Sequence, residues 1–153
     1  MKSKSLIIFL EVVIALLIIP FALISRIIPR KKKLHGMNVF VGITEIAGNL
    51  DKISKSLQKA GSKTYSIAIR NIYYPNIKYN EVIDLSSKRV KFGNIIDSNK
   101  AHRFLLYKLK QIFWIIEKFD MTFFDWNISF LPFNLDWLIF KIAGLKVFVL
   151  HCG

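Results

Sequence analysis

Between Leu6 and Ile24 the chain reads LIIFLEVVIALLIIPFALI, nineteen residues with a single charge, Glu11. As a helix rising about 1.5 Å per residue, the run extends roughly 28 Å, close to a hydrocarbon thickness of about 30 Å. Pro20 would break most soluble helices and is tolerated in a membrane-spanning one. A helix this uniformly apolar has no polar face to offer water. Glu11, in the first half of the run, requires a partner or a proton. Lys2 and Lys4 would suit the n-region of a cleaved secretory signal. Against cleavage, no A-x-A-like site follows, and Arg26 and the run RKKK at Arg30 to Lys33 come directly after. The expectation is an uncleaved, single-pass membrane anchor over residues 1–33. Its five following basic residues outweigh Lys2, Lys4 and the amino terminus. The positive-inside rule then places residues 34–153 in the cytoplasm.

The formal net charge is +13. A basic surface alone is weak evidence for nucleic-acid binding, and no nucleic-acid-binding motif accompanies it, so no such partner is expected. Beside a membrane anchor, the same charge suits anionic lipid headgroups, at roughly 1 kcal/mol for each nearby Lys or Arg. The single cysteine, Cys152, excludes an internal disulfide and suits a reducing compartment.

Past the basic run the pattern changes to short apolar runs alternating with helical periods. NVFVG (Asn38 to Gly42) reads as a buried strand ending in glycine. In the following TEIAGNLDKISKSLQKAG, residues Ile46, Leu50, Ile53 and Leu57 recur at helical spacing and Gly61 closes the helix. KTYSIAIR (Lys63 to Arg70) is a second strand, giving a β-α-β unit with a right-handed crossover. Residues Asn71 to Asn99 read as irregular and partly exposed. From Ala101 to Phe119, Leu105, Leu109, Ile112 and Ile116 make one apolar stripe, with Arg103, Lys110 and Glu117 off it; this amphipathic helix is expected to pack on a sheet. DMTFFDW (Asp120 to Trp126) is a third strand, LDWLIFKIAG (Leu135 to Gly144) a short helix, and KVFVL (Lys146 to Leu150) a fourth strand. The alternation predicts an α/β domain, a Rossmann-like parallel sheet flanked by helices, over residues 34–153.

Ligands of open parallel sheets gather at the carboxyl ends of the strands. The first such end is GITEIAGN, where Gly42 and Gly48 permit close backbone approach and the following helix N-terminus favours an anion. It is neither a dinucleotide fingerprint nor a phosphate-binding P-loop, and on the residues alone a tight turn capped by Thr44 or Asn49 is the preferred reading. The second end, FDWNISFLP, carries Asp125, a candidate base or hydroxyl ligand, with a capping carboxylate as the simpler reading. The third carries His151 and Cys152. Alternation along a strand points these two in opposite directions, which makes them a poor nucleophile and base pair. Three His and one Cys without ligand spacing, and no D-x-D sequence, give no metal site, and no cofactor is expected.

Taken in order, these ends resemble the N-terminal domain of GT-B glycosyltransferases, in the broad family 4 group. IAGN followed by LQKAG is similar to that family's first loop and helix. The stretch from Asp120 to Gly153 is similar to its strand, aromatic-polar loop, LP, DL, and a final strand ending in H-x-G, matching at Phe130, Leu131, Pro132, Asp136, Lys141, Gly144, Lys146, His151 and Gly153. Trp126 stands where the family often carries His or another polar residue. The resemblance implies an acceptor-binding first domain that works with a second, donor-binding domain carrying a paired acidic motif this chain does not contain. It implies Gly42, Gly48 and Asn49 near the donor phosphates, Asp125, Trp126 and Asn127 near the acceptor, and His151 at the reaction centre. The expected function is that of a membrane-anchored half of a sugar transferase, inactive alone. Its expected partners are a nucleotide-sugar donor, a glycan or lipid-linked acceptor and a possible second chain. The alternative is a non-catalytic, membrane-anchored α/β binding module.

Overall fold

The computed structural model describes residues 2–27, 36–43, 49–69, 77, 79–83, 100–125 and 129–150. In chain order the elements are α1 (Lys2–Ile27), β1 (Asn38–Ile43), α2 (Asn49–Lys59), β2 (Lys63–Ile69), β3 (Glu81–Ile83), α3 (Lys100–Lys118), β4 (Met121–Asp125), α4 (Leu135–Ile142) and β5 (Lys146–Leu150). A 3-10 turn at Pro132–Asn134 leads into α4. The strands form one sheet in the order β3-β2-β1-β4-β5, and every pairing is parallel. The expected α/β class and its four strands are present.

The centre of the sheet is buried on both faces, which is why β1 reads as a nearly continuous apolar run. Phe40 points to one face and packs with Ile67, Phe124, the α3 residues Ile112, Ile115 and Ile116, and Phe119 just after that helix. Val39 and Val41 point to the other and pack with Leu50, Ala68 and Met121. In α2 the stripe Leu50, Ile53, Leu57 faces the sheet, as the spacing requires. The helix ends in paired bonds: Gly61 N–H donates to Gln58 O at 3.0 Å and Ser62 N–H to Leu57 O at 3.0 Å. Gly61 adopts φ +84°, the left-handed geometry this terminator needs. The end of α4 repeats the arrangement, with Gly144 at φ +84°, its N–H on Lys141 O at 3.0 Å and Leu145 N–H on Phe140 O at 2.9 Å.

The amino ends of the strands are tied through Asp120. Its carboxylate accepts the Asn38 N–H at 2.9 Å, and its carbonyl accepts the Lys146 N–H at 3.1 Å. Within the stretch expected to be irregular, Glu81–Ile83 forms the third parallel strand. Asn80 prepares it, accepting the backbone N–H of Ser66 at 2.8 Å through its side-chain carbonyl.

Helix α1 is long and apolar enough to cross a membrane over Ile8–Ile27. It does not stand apart from the sheet domain. Ala15, Ile18 and Ala22 join the same core as α3, α4 and the sheet. Glu11 has a partner on α3: Lys108 Nζ lies 2.6 Å from its Oε1.

Candidate functional site

The strand order reverses between β1 and β4. The chain leaves β1 toward β2 and β3 on one side, and leaves β4 toward β5 on the other. In doubly wound sheets the crevice outside the carboxyl ends of such a strand pair is the usual ligand site. Asp125 closes β4 at this point and is fully buried. Asn49 opens α2, the helix that follows β1. The Asn49 side-chain amide donates to Asp125 Oδ2 at 3.3 Å, across 76 positions of sequence. Two residues singled out separately, at two different strand ends, therefore meet. The bond ties the start of α2 to the end of β4, and sets a carboxylate and an amide, an acceptor and a donor, side by side at the switch point.

Gly42 is placed differently from the close-approach role expected of it. It lies buried within β1, opposite Ile67 on one side and Phe124 on the other. A Cβ there would stand 2.8 Å from Phe40 Cζ and 3.1 Å from the Ile67 carbonyl oxygen. Internal packing therefore accounts for this glycine. Gly48, Trp126, Asn127 and His151, together with the possible cap Thr44 and with Cys152, lie outside the described residues. Leu150, the last described residue, is in register with Asp125. Among the described residues no three His, Cys, Asp or Glu side chains converge on a point where a metal would bind.

From Ser129 onward the chain is organised by a residue visible in the sequence only as part of a motif. Asp136, in the first turn of α4, is fully buried, and its Oδ2 accepts the Phe130 N–H at 3.0 Å. Burial pushes its carboxyl up to about 6, and the hydroxyl of Ser129 and the backbone N–H of Phe130 pull in the opposite direction. Ser129 Oγ sits 2.9 Å from Leu131 O and 3.1 Å from Asn134 Oδ1. Phe133 and Asn134 both take φ +56°. This geometry is ordinary for Asn and uncommon for Phe, so the carboxylate and its neighbours hold the turn against a local preference. The LP and LD pairs at Leu131–Pro132 and Leu135–Asp136 thus have a structural basis: they shape and fasten the turn that leads into α4.

A second polar cluster lies at the other side of the sheet. Tyr107 on α3 donates its hydroxyl to Glu81 Oε1 at 2.7 Å. Burial, and then Glu81, push the Tyr107 phenol well above its usual range, and burial with the Glu81 charge also raises Tyr65. Both phenols stay protonated at neutral pH, so the cluster ties β3 to α3.

No protein-family model matches this chain, and no curated protein or solved structure matches it with significance.

Proposed function

We propose that this chain is the acceptor-side half of a membrane-held sugar transferase of the GT-B type, on the cytoplasmic side of the membrane, and that it needs a donor-binding domain to act. The observation that carries the reading is the Asn49–Asp125 pair at the switch point of the β3-β2-β1-β4-β5 sheet. It stands at the two strand ends whose sequences resemble the glycosyltransferase family. In this reading Asp125 binds acceptor hydroxyls, with Trp126 and Asn127 beside it, and Asn49, which is hydrogen-bonded to Asp125, lies toward the donor phosphates. Gly48 borders the donor phosphates and His151 stands at the reaction centre. The apolar α1, with Arg26 and the basic run after it, holds the site near a lipid-linked or glycan acceptor.

Transfer requires both substrates to be enclosed and aligned, and one wall of a cleft cannot do this alone. The test is incubation of the purified chain, in detergent, with labelled nucleotide sugars and lipid-linked acceptors. The expected result is no transfer by the chain alone. Turnover that vanishes in His151→Ala would overturn the need for a second domain. The alternative, a non-catalytic anchored binding module, draws on the complete burial of Asp125, which suits a residue whose task is to fasten α2 to β4.

A further inference from the structure

A lone membrane-crossing helix is surrounded by lipid on all sides. In α1, one stripe is instead committed to the protein. Glu11, Ala15, Ile18 and Ala22 follow one another at spacings of four, three and four, and all are buried. Two of its members are alanine, side chains that permit close approach, and α1 lies against α4 and α3 in the same core. The one charge of the apolar run is answered from the domain by Lys108, with both side chains largely buried (9 % and 14 % exposed). Pulling α1 into a bilayer as a free span would strip both ions of this partner and place Glu11 in hydrocarbon.

The outer face of α1 has the opposite character. Phe9, Leu16, Leu17 and Ile24 are each more than half exposed. The apolar surface crosses onto α3 through Phe21 and Phe113, whose rings meet edge to face at 4.7 Å and are both partly exposed. It reaches the 3-10 turn packed against α1, where Phe133 is 80 % exposed. Soluble surfaces seldom carry an apolar patch of this extent. The elements that carry or adjoin it also carry cations: Arg26 at the end of α1, Lys110 one turn before Phe113 on α3, and Lys141 on α4, which packs on α1, are all exposed. A broad apolar face with basic residues beside it matches the chemistry of an anionic lipid bilayer, hydrocarbon within and phosphate at the rim.

We propose that α1 is a monotopic element: it stays docked on α3 and α4 through the Glu11–Lys108 pair, and its outer face, with Phe113 and Phe133, sinks into one leaflet. Both ends of the helix then lie on the side of the membrane that holds the domain, in place of the single crossing expected from hydropathy. This rests on the membrane part of the proposed function and is independent of the sugar-transfer part.

The test uses the full chain with Cys152→Ala and one new cysteine, either Ser3→Cys before the apolar run or Lys59→Cys on the domain. Each is expressed and probed in sealed, inverted membrane vesicles with an impermeant maleimide. Labelling of both positions from the domain side is expected. A Ser3→Cys that reacts only after detergent is added shows a crossing helix and overturns the proposal. Flotation with vesicles of equal parts phosphatidylcholine and phosphatidylglycerol checks the occupant; a chain that stays behind, or merely pairs with itself, overturns both this proposal and the membrane reading. Docking is read separately, by disulfide formation between Phe21→Cys and Phe113→Cys. Lys108→Glu should lower the yield about tenfold, because it leaves a repelling buried pair, and the exchange Glu11→Lys with Lys108→Glu should restore it. A yield indifferent to Lys108→Glu contradicts the docked state.

Discussion

Asp136 shows how burial turns one carboxyl into a pH-dependent element of the fold. Its ionisation is pushed from 3.8 up to about 6 by burial, so between these values the native state holds a proton that the unfolded chain releases. The resulting stabilisation is complete below about pH 4, fades as pH rises through 6, and is gone above it; it amounts to something on the order of 3 kcal/mol. Urea unfolding of the wild type and Asp136→Asn at a series of pH values checks this: the wild type should gain on the variant as pH falls from 7 to 4. A constant difference would show an ordinary carboxyl. Gly42 gives a second expectation at this scale. Phe40, which its Cβ would strike, is fully buried and has no room to retreat, so Gly42→Ala should cost about 1–3 kcal/mol by the same measurement. At the candidate site itself, Asp125 and Asn49 were legible from sequence because strand ends and helix starts are where side chains leave a parallel sheet. Their hydrogen bond was not, since nothing local records a contact across 76 positions. Asp136 was visible only as part of a motif; its burial depends on how the turn folds back.

The elements divide by how local their causes are. Strands β1, β2, β4 and β5 and helices α2 and α4 follow from short-range pattern, and the glycine stops of both helices are written in the chain as Gly61 and Gly144. Gly144→Ala tests one of them. A Cβ there would meet only Arg26 Cγ at 3.7 Å, an ordinary contact, so the expected loss of about 1 kcal/mol in unfolding free energy is the conformational cost of φ +84° alone. An unchanged stability would mean that the turn relaxes. Strand β3 escaped because three residues, one of them Glu81, carry no readable period. It exists because Asn80 takes up the Ser66 N–H and Glu81 meets Tyr107, both contacts with distant parts of the chain. The docking of α1 escaped for the opposite reason: a helix apolar on every side gives no sign of which side the protein takes, and only Glu11 marks it.

At the scale of the whole molecule, the described residues cover the sheet unevenly. One face carries α1, α3 and α4, whereas among the described residues the other carries α2 over its centre. On that second face Phe123 stacks on Phe148 at 5.0 Å and 11°, and Phe148 remains 44 % exposed on the edge strand β5. All-parallel sheets are ordinarily covered on both faces, so this corner is expected to be adhesive. Phe148→Lys should keep the purified chain monodisperse in detergent at concentrations where the wild type associates, as read by light scattering; equal association would place the contact elsewhere. The switch point lies between these two faces, and the functional account depends on it more than on any other feature. It is tested most directly by titrating the purified chain in detergent with a lipid-linked glycan acceptor and reading binding calorimetrically, with Asp125→Asn as the comparison and circular dichroism as the check of folding. Saturable binding is expected, falling about tenfold in a folded Asp125→Asn through the loss of one charge-assisted hydrogen bond. Binding that is equal in the two proteins, or absent from the wild type, would contradict it.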